Sequence, residues 1–283
     1  MVNNNFIILC NQRTGSTWIE TSLGNLDSIN TDYEIKWSEK LLLTNKSSYH
    51  FFLENKSLDF FFEQFDYNNK ILGSKFIFDF YHYFPLAKYQ DFINKFNNIN
   101  IIHLRRNYID ILKSKLIGKV SHFIEKNNIN KNRLIDKDIF KNQNFYYTNI
   151  KKNILKAKQN PIPFVKTSSY LYNLFINDLL SIYIKKRNKH INLNYEVINK
   201  QIKDIKKFLN LEEDEKTIKN FFFETPSLKK NTYRYPNAFE KYTDLLKLSQ
   251  KLEKKLNELE KIDFEIHDIV KLNEKNNNLY INI

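Results

Sequence analysis

Residues Phe6-Ile7-Ile8-Leu9-Cys10 run apolar without a break, then give way to Asn11-Gln12-Arg13-Thr14-Gly15-Ser16-Thr17-Trp18. An apolar run this short, mostly β-branched or aromatic, has the length of a buried strand. The polar stretch that follows holds Gly15, the only glycine in the first twenty residues. From Ser16 or Thr17 the pattern becomes helical, with Trp18, Ile19, Ser22 and Leu23 on or near one face. A strand, a short turn and a helix start together form a cradle for an anion. The first helical turn has free backbone N–H groups, and the helix dipole favours negative charge there. Arg13 adds a permanent charge on a planar donor fork, and Ser16 and Thr17 add hydroxyls. The same pattern also describes an ordinary βα turn with a polar cap.

What the loop lacks narrows the reading. A nucleotide triphosphatase loop places a lysine directly after its last glycine and a hydroxyl that holds magnesium. Here the basic residue precedes the glycine and a tryptophan follows the hydroxyl pair. That order suits a donor with no γ-phosphate and no required metal. The stretch Gln12-Arg13-Thr14-Gly15-Ser16-Thr17-Trp18 resembles the 5′-phosphosulfate loop of the sulfotransferases. These enzymes move a sulfuryl group from 3′-phosphoadenosine 5′-phosphosulfate (PAPS) to an acceptor.

A second stretch extends the resemblance. Asn100-Ile101-Ile102-His103-Leu104-Arg105-Arg106 reads as a strand ending in two arginines, and Asn107 to Ser114 opens a helix. Ligands bind at this carboxyl edge in open α/β sheets. Arg106, Asn107, Asp110 and Ser114 match the family's 3′-phosphate motif in register and spacing, with Tyr108 where the family usually has proline. The resemblance implies that Arg106 and Ser114 hold the 3′-phosphate and that Asp110 anchors the turn. Arg105 reads as surface charge. Ile71-Leu72-Gly73-Ser74-Lys75-Phe76-Ile77 is a further expected strand, similar to a Gly-aromatic-Lys strand of bacterial members. His190 to Glu196 is another, and Tyr195-Glu196 followed by Phe208-Leu209-Asn210-Leu211 matches a mostly structural family segment. Asn210 would stand in for glycine as a left-handed helix cap.

The expected fold is therefore α/β: a P-loop-like three-layer arrangement with a central parallel sheet flanked by helices. With 283 residues, no internal repeat and no Pro/Gly-rich linker, the chain reads as a single domain. Leu26 to Lys40 reads as loop, and 41–65 as helical in its second half. Residues 26–65 and 120–165 are the expected acceptor-side insertions. Pro161 and Pro163 mark a break, after which Ser168 or Ser169 would cap a helix from Tyr170 to Lys186. A helix is also expected over 86–96 and another over 197–209. A last amphipathic helix is expected over 238–262.

The net charge of +13 is spread along the chain without a dense basic block or interleaved exposed aromatics. It reads as solvated surface with a few residues recruited to an anionic donor, rather than as a nucleic-acid interface. Lone Cys10 excludes a disulfide framework and a multi-cysteine zinc site, and its strand position predicts a buried thiol. No charged-plus-apolar leader and no membrane-length apolar run are present, which predicts a soluble, cytoplasmic protein of unstated oligomeric order.

The resemblance also implies roles. Arg13 takes the catalytic basic position and stabilises charge as the S–O bond breaks. Gln12, Thr14, Gly15, Ser16 and Thr17 supply the rest of the loop. Trp18 either stacks on adenine or is a core aromatic. Lys229 and Lys230 either close over the nucleotide or lie on a solvated loop. A general base should take the acceptor proton; Glu34, in the loop expected after the first helix, is the first candidate, with Glu39, Asp79 and His82 as rivals. The implied reaction is transfer from PAPS, without metal, to a hydroxyl or amine of a small-molecule or saccharide acceptor, as in bacterial carbohydrate-type members. A nucleotide kinase and a non-catalytic nucleotide-binding protein are the alternatives.

Overall fold

The computed structural model describes residues 4–36, 49–52, 58, 62–63, 70–78, 93–112, 114, 161–224, 243–269 and 271–272. The expected first strand forms as β1 (Phe6–Asn11), buried along its whole length. It lies between β4 (Ile71–Phe78) and β5 (Asn100–Arg105), parallel to both. Beyond β4 come β2 (Ile29–Lys36) and then β3 (Tyr49–Phe52); beyond β5 comes β6 (His190–Asn194). The sheet thus runs β3-β2-β4-β1-β5-β6, and every pairing among the described residues is parallel. The continuous apolar run in β1, and the one in β5 interrupted only by His103, follow from this, because a parallel sheet is covered on both faces.

Alternate side chains of β1 serve opposite layers. Ile7 and Leu9, with Ile101 of β5, pack under α2 (Pro161–Lys185) and α5 (Thr243–Leu259), whose Leu174, Leu179, Leu252 and Leu256 complete one core. Phe6, Ile8 and Cys10, with Ile102 and Leu104, face α1 (Ser16–Gly24), α3 (Ile202–Leu209) and α4 (Glu215–Glu224). The expected α/β architecture, a parallel sheet between two helical layers, is the observed one. Close sheet packing constrains β4: a Cβ on Gly73 would come within 2.2 Å of the Phe6 ring. Cys10 is fully buried, and burial pushes its thiol pKa up to about 11, so it is an inert core thiol.

Several boundaries differ from the expectation. Residues 29–36 are a strand in the sheet rather than loop. The sequence Ile-Asn-Thr-Asp-Tyr-Glu-Ile-Lys alternates apolar or β-branched with polar residues, which is a strand signal partly masked by its high polarity. A register shift between Asn30 and Tyr33 breaks its pairing with β4. Residues 49–52 pair with it as β3, again where no strand was expected. Pro161 and Pro163 do not precede a helix; they begin α2, where a missing N–H costs nothing. Ser168 and Ser169 therefore lie inside that helix and do not cap it. The expected helix over 197–209 divides into a 3-10 turn, Ile198–Lys200, followed by α3. Asn210 closes α3 with φ 54° and ψ 48°, as expected for an asparagine cap. Of the helix expected over 86–96, residues 93–94 are helical and 95–98 form a turn. Residues 120–159 and 238–242 lie outside the described residues. Among the described residues no helix is long and apolar enough to cross a membrane.

Candidate anion site at the carboxyl edge of the sheet

The sheet order changes direction at β1, with β2, β3 and β4 on one side and β5 and β6 on the other. The loop leaving β1 therefore stands at the crevice where open α/β sheets receive ligands. Its shape is built from the backbone. Arg13 has φ 65° and Gly15 has φ 93°, both left-handed. For arginine this conformation costs about 1–2 kcal/mol. Gly15 precedes the first helical residue and its carbonyl accepts the Ile19 N–H at 3.2 Å. A Cβ on Gly15 would fall 2.1 Å from the Tyr195 ring, so both its φ and its surroundings demand glycine. The Thr14 hydroxyl donates to the Asn11 carbonyl at 2.8 Å and ties the loop to the strand end. Among the described residues nothing accepts the backbone N–H groups of Gly15, Ser16 and Thr17. They remain available to an anion, as a helix start requires.

Arg106 joins this loop from the end of β5. Its Nη1 donates to the Arg13 carbonyl at 3.0 Å, and its guanidinium lies 4.5 Å from the centre of the Tyr195 ring. That bond also holds the left-handed Arg13 backbone in place. Glu196 approaches Arg106 Nε at 3.8 Å, beyond hydrogen-bond reach, and this buried Nε has no hydrogen-bond partner among the described residues. The unpaired loop amides and the Arg106 guanidinium thus offer two sets of donors to anionic oxygens at one sheet edge. The Arg13 side chain is exposed beside it.

Arg105 points elsewhere. It meets Glu260 at 3.2 Å and Asn257 at 3.1 Å, and Lys185 meets the same Glu260. It is thus half-buried and paired with the segment ending α5, rather than the surface charge expected.

The helical segment after β5 starts at Tyr108. Asn107 Oδ1 accepts the Ile109 N–H at 2.9 Å and caps it. Tyr108 has an N–H that a proline at this position would lack, and Glu253 Oε1 of α5 accepts it at 2.7 Å. Its ring is buried and its hydroxyl donates to Asp178 Oδ2 at 2.8 Å. Asp178 Oδ1 in turn accepts from Asn11 Nδ2 at 2.8 Å. One buried carboxyl on α2 therefore fastens the ends of both site-bearing strands, through Asn11 and Tyr108.

His103 completes this buried group, with its Nε2 3.7 Å from Asp178 Oδ1, too far for a hydrogen bond. Burial lowers its pKa below the usual histidine value, Asp178 opposing only in part. Between that lowered value and about 6.5 the unfolded chain carries a proton that the folded one does not. Stability therefore falls as pH drops through about 6.5. Urea unfolding at pH 7 and pH 5 should show this loss, and His103→Gln should lose that part of the slope; an equal slope in the variant would refute the assignment.

The structure brings Gln12 to Trp18 and Arg106 together, and carries Ser114 on the helical segment that follows Arg106. Trp18 packs edge-on between Tyr195 and Phe222, and its indole N–H donates to the Phe222 carbonyl at 3.1 Å. Glu34 lies in β2, opposite Lys75, not in a loop, because residues 29–36 join the sheet. Lys229, Lys230, Glu39, Asp79 and His82 lie outside the described residues. Sequence reasoning left out two residues beneath the loop: Lys75 Nζ sits 2.5 Å from Glu20 Oε2 and 3.4 Å from Thr17 Oγ1. The signal was a lysine inside a mostly apolar strand, which a core admits only when it is paired.

No protein-family model matches the chain, and no curated protein does. Among solved structures, the crystal structure of a sulfotransferase from Alicyclobacillus acidocaldarius aligns with 92% of this chain and 96% of its own, at 12% identity and a TM-score of 0.47.

Proposed function

We propose that this chain is a single-domain sulfotransferase that transfers a sulfuryl group from PAPS to a hydroxyl or amine of an acceptor, without a metal. The observation that carries the reading is the union of two anion stations at one sheet edge. The β1 loop offers unpaired amides, and Arg106 reaches it from β5 with a buried Nε that has no hydrogen-bond partner among the described residues. A nucleotide with anionic groups at both its 5′ and 3′ positions calls for two such stations. A loop with its cation ahead of the glycine suits a sulfuryl donor better than a triphosphate.

When bound, PAPS supplies the sulfuryl group. In this reading Ser16, Thr17 and the loop amides hold the 5′ end, with Gln12, Thr14 and Gly15 shaping the turn. The Arg13 guanidinium, planar and permanently charged, stabilises negative charge on the leaving oxygen. Arg106 and Ser114 hold the 3′-phosphate. Trp18 borders the adenine with a ring face, its N–H being engaged. Lys229 and Lys230 close over the nucleotide, and Glu34 takes the acceptor proton. Saccharides and glycoconjugates are the first acceptor class to screen, and the cytoplasm is the proposed compartment.

Calorimetry with 3′-phosphoadenosine 5′-phosphate in the absence of magnesium tests the reading. Binding in about the micromolar range is expected, near 8 kcal/mol. No binding of this nucleotide, with binding of ATP plus magnesium instead, would replace the proposal with a nucleotide kinase.

A further inference from the structure

Lys75 projects from the middle of β4 and is almost fully buried. Its Nζ lies 2.5 Å from Glu20 Oε2 on α1, and 3.4 Å from Thr17 Oγ1 on the first turn of the same helix. Glu20 is also buried. Two charges are thus held out of water directly below the loop, where an apolar pair of similar size would be cheaper to bury. Stability alone gives little reason for this pair, but its contact with Thr17 gives a chemical one.

An ammonium group has only donors, whereas a hydroxyl has one donor and two acceptor sites. With Lys75 donating to Oγ1, the Thr17 proton must point away from Lys75. Thr17 makes no other hydrogen bond among the described residues, and its side chain is exposed at the loop. We infer that Lys75, held by Glu20, is a positioning residue that turns the Thr17 hydroxyl into a dedicated donor to the anionic group in the β1 loop. Glu20 fixes the ammonium so that its charge polarises Thr17 instead of moving to the ligand. This inference rests on the nucleotide reading above and concerns the 5′ end of that ligand alone.

A double-mutant cycle separates this role from packing. Lys75→Met is made together with Glu20→Gln so that no unpaired buried charge remains, and the pair is combined with Thr17→Val. Calorimetry uses two probes, 3′-phosphoadenosine 5′-phosphate and adenosine 3′-monophosphate, which lacks the 5′ group. The Lys75→Met/Glu20→Gln protein should bind the first probe about tenfold more weakly, as for a hydrogen bond to a charged group, and the second unchanged. In the Thr17→Val background the same pair should have almost no further effect. Thermal unfolding and circular dichroism establish that each variant is folded. Additive losses on the Thr17→Val background, or equal weakening for both probes, would overturn the inference. Should the wild type bind neither probe, the nucleotide reading itself fails, a result distinct from additivity.

Discussion

Arg106→Ala is expected to weaken binding of 3′-phosphoadenosine 5′-phosphate by about a hundredfold, while Arg105→Ala leaves it within about twofold. The two arginines are neighbours in sequence and differ only in what surrounds them. Arg106 reaches the loop carbonyl of Arg13 and lies on Tyr195. Arg105 is spent on Glu260 and Asn257 at the far side of β5. Losing Arg106 removes a charge-assisted donor from the site. It also removes the bond that holds Arg13 in its left-handed backbone, so the loop amides lose alignment as well. Arg106→Lys should fall between, since an ammonium keeps the charge but not the fork that spans a carbonyl and a ligand oxygen. Calorimetry on the three variants decides the matter. Wild-type affinity in Arg106→Ala, or a large loss in Arg105→Ala, would move the anion site elsewhere.

Asp178→Ala should lower folding stability by about 3–5 kcal/mol, a large share of what a domain has. The carboxyl is almost completely buried and accepts from both Asn11 and Tyr108. Its removal leaves a buried phenol and one amide N–H with no acceptor, each costing about 1–3 kcal/mol. Asp178→Asn keeps the shape and one acceptor oxygen, and should cost about half as much. Because Asn11 ends β1 and Tyr108 follows β5, both variants should also loosen the proposed nucleotide site. Urea unfolding with matched m-values measures the first effect and calorimetry the second. A loss under about 1 kcal/mol in Asp178→Ala would mean that the two strand ends are held by packing alone.

Some of this was legible in the residues. The apolar run 6–10 and the run 101–104, apolar but for His103, read as buried strands by their length and β-branched content. Asn210 announced a left-handed helix cap, and it has one. Other parts were hidden. The strand at 29–36 was obscured because only alternate positions are apolar or β-branched and the rest are polar. Pro161 and Pro163 punctuate the chain, but local sequence does not say whether a proline ends a loop or starts a helix. Glu34 was placed by its distance from the first helix, and its strand location followed only from pairing with β3 and β4.

By itself the sequence determined where burial and turns must fall: a strand, a polar turn, a helix start and a second strand ending in arginines. These depend on local periodicity and on φ, which neighbouring residues dictate. Partnership was decided only by the tertiary structure. Residues 11, 108 and 178 meet at one carboxyl, 13 and 106 at one carbonyl, and 17, 20 and 75 at one ammonium. Each is a balance between desolvation and hydrogen bonding, and that balance exists only when distant parts of the chain exclude water from the same point.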